Sequence, residues 1–308
     1  MPTLFCFGLG YTARHVIADR DNDADPIVGT VRDAETARRI SRDGIGGKEI
    51  QAIAFDSAGR PLDIAAELAA IDLLLVSVPP DQRGDPVLHC FADALARSPR
   101  LAAIVYLSTV GVYGDYRGAW VDESSEPRPV SERGRARLEA ERAWTTLAVR
   151  TGKALAILRL AGIYGPSRNA LVQVTGLTAK RIAKPGQVFN HIHVADIAAI
   201  INTSLDRRAN GIFNVADDEP TPPGEPIRFA AELLGLAPPP EVRFEEAART
   251  MSPMALSFYG ESKRVRNDKI KRELGVRLRY PTYREGLTAL FAAGDHHTAT
   301  TVAAPARS

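Results

Sequence analysis

The chain has 308 residues, 45% hydrophobic and 25% charged, a globular balance that excludes a fibrous or low-complexity protein. Lys and Arg total 39 against 37 Asp and Glu, so a formal charge of +2 gives no global drive toward nucleic acid. No apolar run approaches the roughly 18 residues of a membrane span, the start Met1-Pro2-Thr3 lacks the basic segment of a secretory signal, and two cysteines, Cys6 and Cys90, fit a reducing cytoplasm rather than a disulfide framework.

Short apolar runs at 4–7, 26–30, 52–55, 73–78, 103–107 and 154–160 read as strands buried on both faces of a parallel sheet. Between them, 12–18, 34–42, 62–69, 86–96 and 131–149 repeat apolar residues at helical spacing. The alternation predicts an α/β fold of Rossmann type, a doubly wound parallel sheet whose ligands bind at the carboxyl ends of the strands.

Beyond residue 165 the pattern changes. The stretch 165–187 reads as loop, 188–194 as a strand, 196–205 as a helix capped by Asp196, and 212–215 as a further strand. Turn-rich connectors at 217–226 and Pro238-Pro239-Pro240 flank a helix over 227–234 that Gly235 ends. A last helix over 267–274 starts at Asn267 or Asp268 and stops at Gly275. The expected organisation is a dinucleotide-binding domain over 1–165 with a returning segment near 188–216. A smaller substrate domain takes 166–187 and 217–293, and 294–308 is expected to be a disordered tail.

Directly after the first strand stands Gly8-Leu9-Gly10-Tyr11-Thr12-Ala13. Gly8 and Gly10 permit a tight turn and close approach of a pyrophosphate, Ala13 replaces the third glycine at the helix–strand contact, and the amides of Tyr11 and Thr12 open the helix toward the phosphates. The second strand ends in Thr30 and Arg32. A guanidinium there suits a ribose 2′-phosphate, so NADP is predicted, with NAD as the alternative if Asp33 receives a ribose hydroxyl instead. Asp56 is placed at the adenine edge, and Ser77-Val78-Pro79-Pro80, with Val78 and Pro79 foremost, at the adenosine wall.

Five segments together make the chain resemble the extended, epimerase/dehydratase-like branch of the short-chain dehydrogenase/reductase superfamily. They are the glycine loop, 106–114 (Tyr-Leu-Ser-Thr-Val-Gly-Val-Tyr-Gly), 159–166 (Arg-Leu-Ala-Gly-Ile-Tyr-Gly-Pro), 192–198 (Ile-His-Val-Ala-Asp-Ile-Ala) and 213–215 (Phe-Asn-Val). The resemblance implies that Thr109, four residues before Tyr113, binds the reacting oxygen, and it sets Ser108 on the cofactor side. It also implies a tyrosine acid/base with a lysine four residues later, but Arg133 and Arg137 fill those slots. A guanidinium neither accepts nor gives up a proton at working pH, so the usual proton transfer is missing.

Arg133 and Arg137 stand one helical turn apart and repel. Either an anionic substrate group or the cofactor phosphates lie there, or Glu132, Glu139 and Glu141 neutralise the stripe. Tyr113, Tyr116, Tyr164, Asp115 and Glu132 are the alternative acid/base candidates. His191 and His193 alternate on one strand face without a third ligand at recognisable spacing, so no metal is expected, and His193 reads as a packed residue. His296 and His297 read as solvated tail residues. Lys263, Arg264 and Arg266 form a basic group that meets a substrate diphosphate or carboxylate, or only solvent.

Two functions follow. The first is an NADP-dependent epimerase, dehydratase or reductase with a non-standard centre, acting on a nucleotide-sugar-like or other small carbonyl or hydroxyl substrate. The second is a non-catalytic NADP-binding sensor or partner-binding protein. The resemblance further implies a homodimer through 86–96 and 131–149, with neither nucleic acid nor membrane as partner.

Overall fold

The computed structural model describes residues 2–21, 25–55 and 64–296. In the first third, β1 (Leu4–Phe7), β2 (Ile27–Val31), β3 (Gln51–Ala54), β4 (Leu73–Val76) and β5 (Ala103–Thr109) alternate with α1 (Tyr11–Ala18), α2 (Ala34–Asp43), α3 (Ala65–Ala70) and α4 (Pro86–Arg97). A 3-10 turn (Val110–Tyr113) and β6 (Trp120–Val121) lead to the long helix α5 (Glu132–Thr151) and β7 (Ala154–Leu160). Then follow β8 (Gly162–Tyr164), α6 (Ala170–Thr175), β9 (Arg181–Ala183), β10 (His191–His193), α7 (Val194–Asp206) and β11 (Gly211–Val215). The remainder holds α8 (Glu225–Leu233), β12 (Glu241–Arg243), α9 (Phe244–Ala247), α10 (Pro253–Tyr259), β13 (Arg264–Val265), α11 (Asp268–Leu274) and α12 (Tyr283–Ala292).

Seven strands form one sheet in the order β11-β7-β5-β4-β1-β2-β3, and every pairing is parallel. This is the Rossmann-type doubly wound sheet that the alternating pattern predicts. Alternation along β1 shows how it is filled. Leu4 and Cys6 join the core shared with Val16, Ile17, Ile200 and Ile201 of α1 and α7, whereas Phe5 and Phe7 join Phe91, Trp144 and Leu147 of α4 and α5. The strand order reverses between β1 and β4, and there the carboxyl ends of the strands diverge into a crevice. A separate small core of Leu171, Val174, Ile227, Ala230 and Leu287 joins α6, α8 and α12.

Several boundaries differ from the sequence reading. The stretch read as loop holds α6, capped by Asn169 through the Val172 amide at 3.1 Å, and β9. The strand expected over 188–194 is confined to His191–His193, and α7 begins at Val194. Its cap is His193, whose Nδ1 accepts from the Ala195 amide at 3.1 Å, not Asp196. Asp196 instead accepts from the amides of Arg279 (2.6 Å) and Tyr280 (3.1 Å), because one turn into the helix its carboxylate reaches the segment after α11. Residues 295 and 296, expected in the tail with His296 in solvent, pack on the fold. Asp295 accepts from the Ser167 amide at 2.9 Å and from Asn169 Nδ2 at 2.5 Å, and His296 stacks on Phe291 at 4.8 Å. His297 and the rest of 297–308 lie outside the described residues, as do Asp56 and the start of the helix expected over 62–69. Among the described residues no helix is long and apolar enough to cross a membrane.

One buried ion pair ties the sheet to α5. Arg159 on β7 donates to Glu141 on α5 from Nη2 (2.7 Å) and Nε (3.1 Å), with side chains 2% and 3% exposed. Ser108 Oγ donates to the same carboxylate at 2.5 Å, and the guanidinium lies 4.8 Å over the Tyr113 ring. Removing one member strands a buried charge, so Glu141→Ala is expected to cost about 3–5 kcal/mol in urea unfolding. The apolar double replacement Glu141→Leu with Arg159→Met should lose clearly less, since no charge is then stranded.

Candidate functional site

Two side chains hold the glycine loop. Thr30 Oγ1 accepts from the Gly8 amide at 3.0 Å, and Ser77 Oγ donates to the Gly8 carbonyl at 2.7 Å. Gly8 has φ +93°, and a side chain there would meet Ser77 Oγ at 2.8 Å, so only glycine suits the turn. The Leu9 side chain packs where a Cβ on Gly29 would stand, at 2.5 Å, which explains a glycine inside β2. At Gly10 nothing lies within 4 Å of such an atom: the backbone there faces open space.

That space is a cavity of about 600 Å³ at the switch point. Its lining includes Gly8, Gly10, Thr30, Arg32, Val78 and Pro79, so it brings together six of the residues expected at a cofactor. It also includes Arg14 and Thr36, which the sequence reading missed because neither belongs to a glycine-loop pattern. Arg32 is exposed and makes no ion pair among the described residues. The competing Asp33 is committed elsewhere. Its carboxylate accepts from the Thr36 amide at 2.8 Å as the cap of α2, and that bond pulls its pKa down.

Other expected residues are placed differently. Thr12 and Ala13 are buried in the first turn of α1, while the Tyr11 hydroxyl donates to the Pro166 carbonyl at 3.0 Å and burial pushes its pKa up to about 12. Ser108 points away from the cavity into the Glu141 carboxylate, because neighbouring residues of a strand face opposite sides. Its hydroxyl is held there by a hydrogen bond of 2.5 Å.

Thr109 ends β5, and its Oγ1 accepts from the Gly111 amide at 3.1 Å. The hydroxyl proton is therefore left to donate. A Cβ built on Gly111 would lie 3.4 Å from Thr109 Oγ1 and 3.6 Å from Glu261 Oε1, so both oxygens border one small space. Glu261 pairs through Oε1 with the buried Lys263 at 2.9 Å, while its Oε2 is buried without a hydrogen bond. Lys263 Nζ also donates to the Gly114 carbonyl at 2.9 Å, and burial lowers its pKa. A second cavity of about 250 Å³ reaches Glu261 between Asp115, Lys184, Gln187 and Tyr259. No motif announces Glu261. Lys263 was singled out only as part of a basic group, and that group disperses: Arg264 donates to the Gly118 carbonyl, and Arg266 lies 5.0 Å over Trp120.

The two arginines expected in the tyrosine and lysine slots separate. Arg137 is 8% exposed and turns Nη1 into β5, donating to the Leu107 carbonyl and to the Tyr106 hydroxyl at 3.3 Å. Arg133 is exposed. Burial of its base, then Arg137 and Arg168, push its pKa down. The alternative acid/base groups are occupied: Tyr113 donates to Asn214 Oδ1 (2.8 Å), Tyr116 to the Glu126 carbonyl (2.6 Å) and Tyr164 to the Thr282 carbonyl (3.4 Å). Asp115 accepts from the amides of Arg117 and Ser262, both at 2.9 Å. Glu132 is exposed at the start of α5.

His191 and His193 are held neutral by burial, which pushes both pKa values down to about 4. Among the described residues no three His, Cys, Asp or Glu side chains group to hold a metal.

Comparison with known proteins completes the description. The family described as NAD dependent epimerase/dehydratase matches residues 90–216. Protein YeeZ of Escherichia coli (strain K12) is 30% identical over 220 residues, 68% of this chain and 72% of that protein. A functionally unknown conserved protein from Silicibacter pomeroyi superposes with a TM-score of 0.83 at 44% identity, covering 96% of this chain and 99% of that one. MoeE5, in complex with UDP-glucose and NAD, shares the fold with a TM-score of 0.72 at 20% identity over 93% of this chain and 96% of its own.

Asp217, at the end of β11, is 2% exposed, and its Oδ2 has no hydrogen bond. Burial, then Asp218, Glu219 and Asp196, raise its pKa to about 8. The folded state therefore holds a proton that the unfolded chain releases near the ordinary 3.8, and stability falls as pH rises from about 4 to about 8. Asp217→Asn should flatten that decline, read as urea midpoints at the two ends of the window.

Proposed function

The chain belongs to the NAD-dependent epimerase/dehydratase family, the extended branch of the short-chain dehydrogenases/reductases, and on that premise we propose an NADP-dependent enzyme acting on a small hydroxyl or carbonyl compound. The observation that carries it is the cavity above Gly10, where a backbone open to a pyrophosphate meets the exposed guanidinium of Arg32. Arg32, with Arg14 and Thr36 beside it, receives the 2′-phosphate. Val78 and Pro79 flank the adenosine. The cofactor, when bound, supplies hydride chemistry.

At the reacting end, Thr109 donates its free hydroxyl proton to the substrate oxygen. Glu261, whose Oε1 borders the same space, takes or returns the proton that the missing phenol would have moved. Lys263 orients that carboxylate and is held in turn by the Gly114 carbonyl. Nucleotide sugars belong in a first substrate screen because MoeE5 binds UDP-glucose. A carboxylate beside Thr109 favours the enzyme over the cofactor sensor, which needs no proton acceptor there.

Arg32→Ala is expected to weaken NADPH binding at least about ten-fold while changing NADH affinity little, in calorimetric titration. Equal losses for both cofactors would refute the 2′-phosphate role. Gly10→Val should abolish binding of either cofactor yet leave the unfolding midpoint within error, since its side chain enters the cavity and not the core.

A further inference from the structure

Positive charge gathers at the start of α5, which packs on the turn after Thr109: a Cβ on Gly134 would meet the Gly111 carbonyl at 3.1 Å. Arg137 lies buried under the end of β5, bonded to a carbonyl and a phenol, and its charge acts on the buried Asp85 carboxylate. Arg133 stands one turn earlier on α5, at the helix start, where the backbone dipole adds further positive potential. Arg168 approaches from the loop between β8 and α6, its guanidinium 5.8 Å over the ring of Tyr11 beside the glycine loop.

That loop is held in place. Gly165 and Arg168 exchange two backbone hydrogen bonds of 3.0 Å, and the Tyr11 hydroxyl grips Pro166. Asp295 packs on the same loop but gives its carboxylate to the Ser167 amide and to Asn169. Among the described residues neither Arg133 nor Arg168 forms an ion pair. The acids expected to neutralise the stripe do not: Glu141 is bound to Arg159, while Glu132 and Glu139 are exposed and make no ion pair among the described residues. Arg128 is matched with Glu126, and Arg20 with Asp25 and Asp206.

We propose that Arg133 and Arg168 clamp an oxyanion of the substrate, a carboxylate or phosphoryl group, next to the oxygen that Thr109 binds. Arg137 acts from beneath as a positioning charge that deepens the field without touching the ligand. Guanidiniums suit this because their planar donors match both anions. The depressed pKa of Arg133, caused after burial by Arg137 and Arg168, fits charges waiting for an anion. The proposal rests on the dinucleotide reading, which sets the reacting end of the cleft here, and it names the substrate class: a hydroxyl or carbonyl compound that is itself an anion.

The test is calorimetric titration of malonate, and separately of inorganic phosphate, into the full-length protein saturated with NADPH at low ionic strength. At least one anion should bind, its identity separating carboxylate from phosphoryl. Arg133→Ala and Arg168→Ala should each weaken it at least about ten-fold, about 1.4 kcal/mol. Arg97→Ala, which removes an exposed charge at the end of α4, should leave it unchanged. NADPH affinity should stay within about two-fold in all variants, as the clamp is separate from the cofactor phosphates. No anion binding to the wild type, or equal binding by the variants, overturns the clamp. Loss of NADPH affinity in Arg133→Ala or Arg168→Ala also overturns it, because the arginines would then serve the cofactor. If the wild type binds no NADPH, the dinucleotide reading fails by itself, and the same anion titrations on the cofactor-free protein decide the clamp.

Discussion

The pairing of Arg159 with Glu141 organises much of this molecule. Two opposite charges with almost no access to water fix the long helix α5 against β7, and through Ser108 against β5. The guanidinium also supports the ring of Tyr113, whose hydroxyl holds Asn214 of β11. One buried pair thus sets the relative positions of three strands, the helix and the turn after Thr109. Such a pair gains little over apolar packing in stability, but it tolerates few alternative arrangements, and the chemistry of the cleft depends on that arrangement.

From this frame the site divides into a conventional half and an altered half. The cofactor half is held by small bonds, Thr30 and Ser77 on the two sides of Gly8, which keep the loop open where Gly10 faces the cavity. At the proposed reacting end, guanidiniums stand where the family resemblance calls for a phenol and an amine, and the two behave differently. Arg137 has become part of the sheet's underside, whereas Arg133 remains at the surface with Arg168. We propose that proton transfer and charge recognition lie on separate walls: Glu261 on one, Arg133 and Arg168 on the other.

Much of the fold was legible because a strand buried on both faces leaves an unmistakable apolar run: β1 and β7 coincide with their predicted bounds. Positions set by long-range contacts were not legible. His193 caps α7 because burial keeps its Nδ1 unprotonated, while Asp196, the better capping residue by type, is drawn to the amides of Arg279 and Tyr280. The helix α6 was missed because Val172, Val174 and Thr175 disfavour a helix locally, and only packing on α8 and α12 stabilises it. In the site, the glycine loop and Thr109 were readable from local spacing. Glu261 and Arg168 were not, since each is brought there by tertiary folding; Arg14, next to the glycine loop, falls outside its pattern, and Arg137 changed meaning once its burial was known.

The central claim is that the cavity above Gly10 is an NADP site that leads to an anionic substrate. A crystal structure of the full-length protein grown with NADPH tests it most directly. The account predicts the pyrophosphate over Gly10, the 2′-phosphate within hydrogen-bond distance of the Arg32 guanidinium, and the nicotinamide turned toward Thr109. A cofactor lying outside this cavity, or one whose 2′-phosphate contacts neither Arg32 nor Arg14, would contradict it.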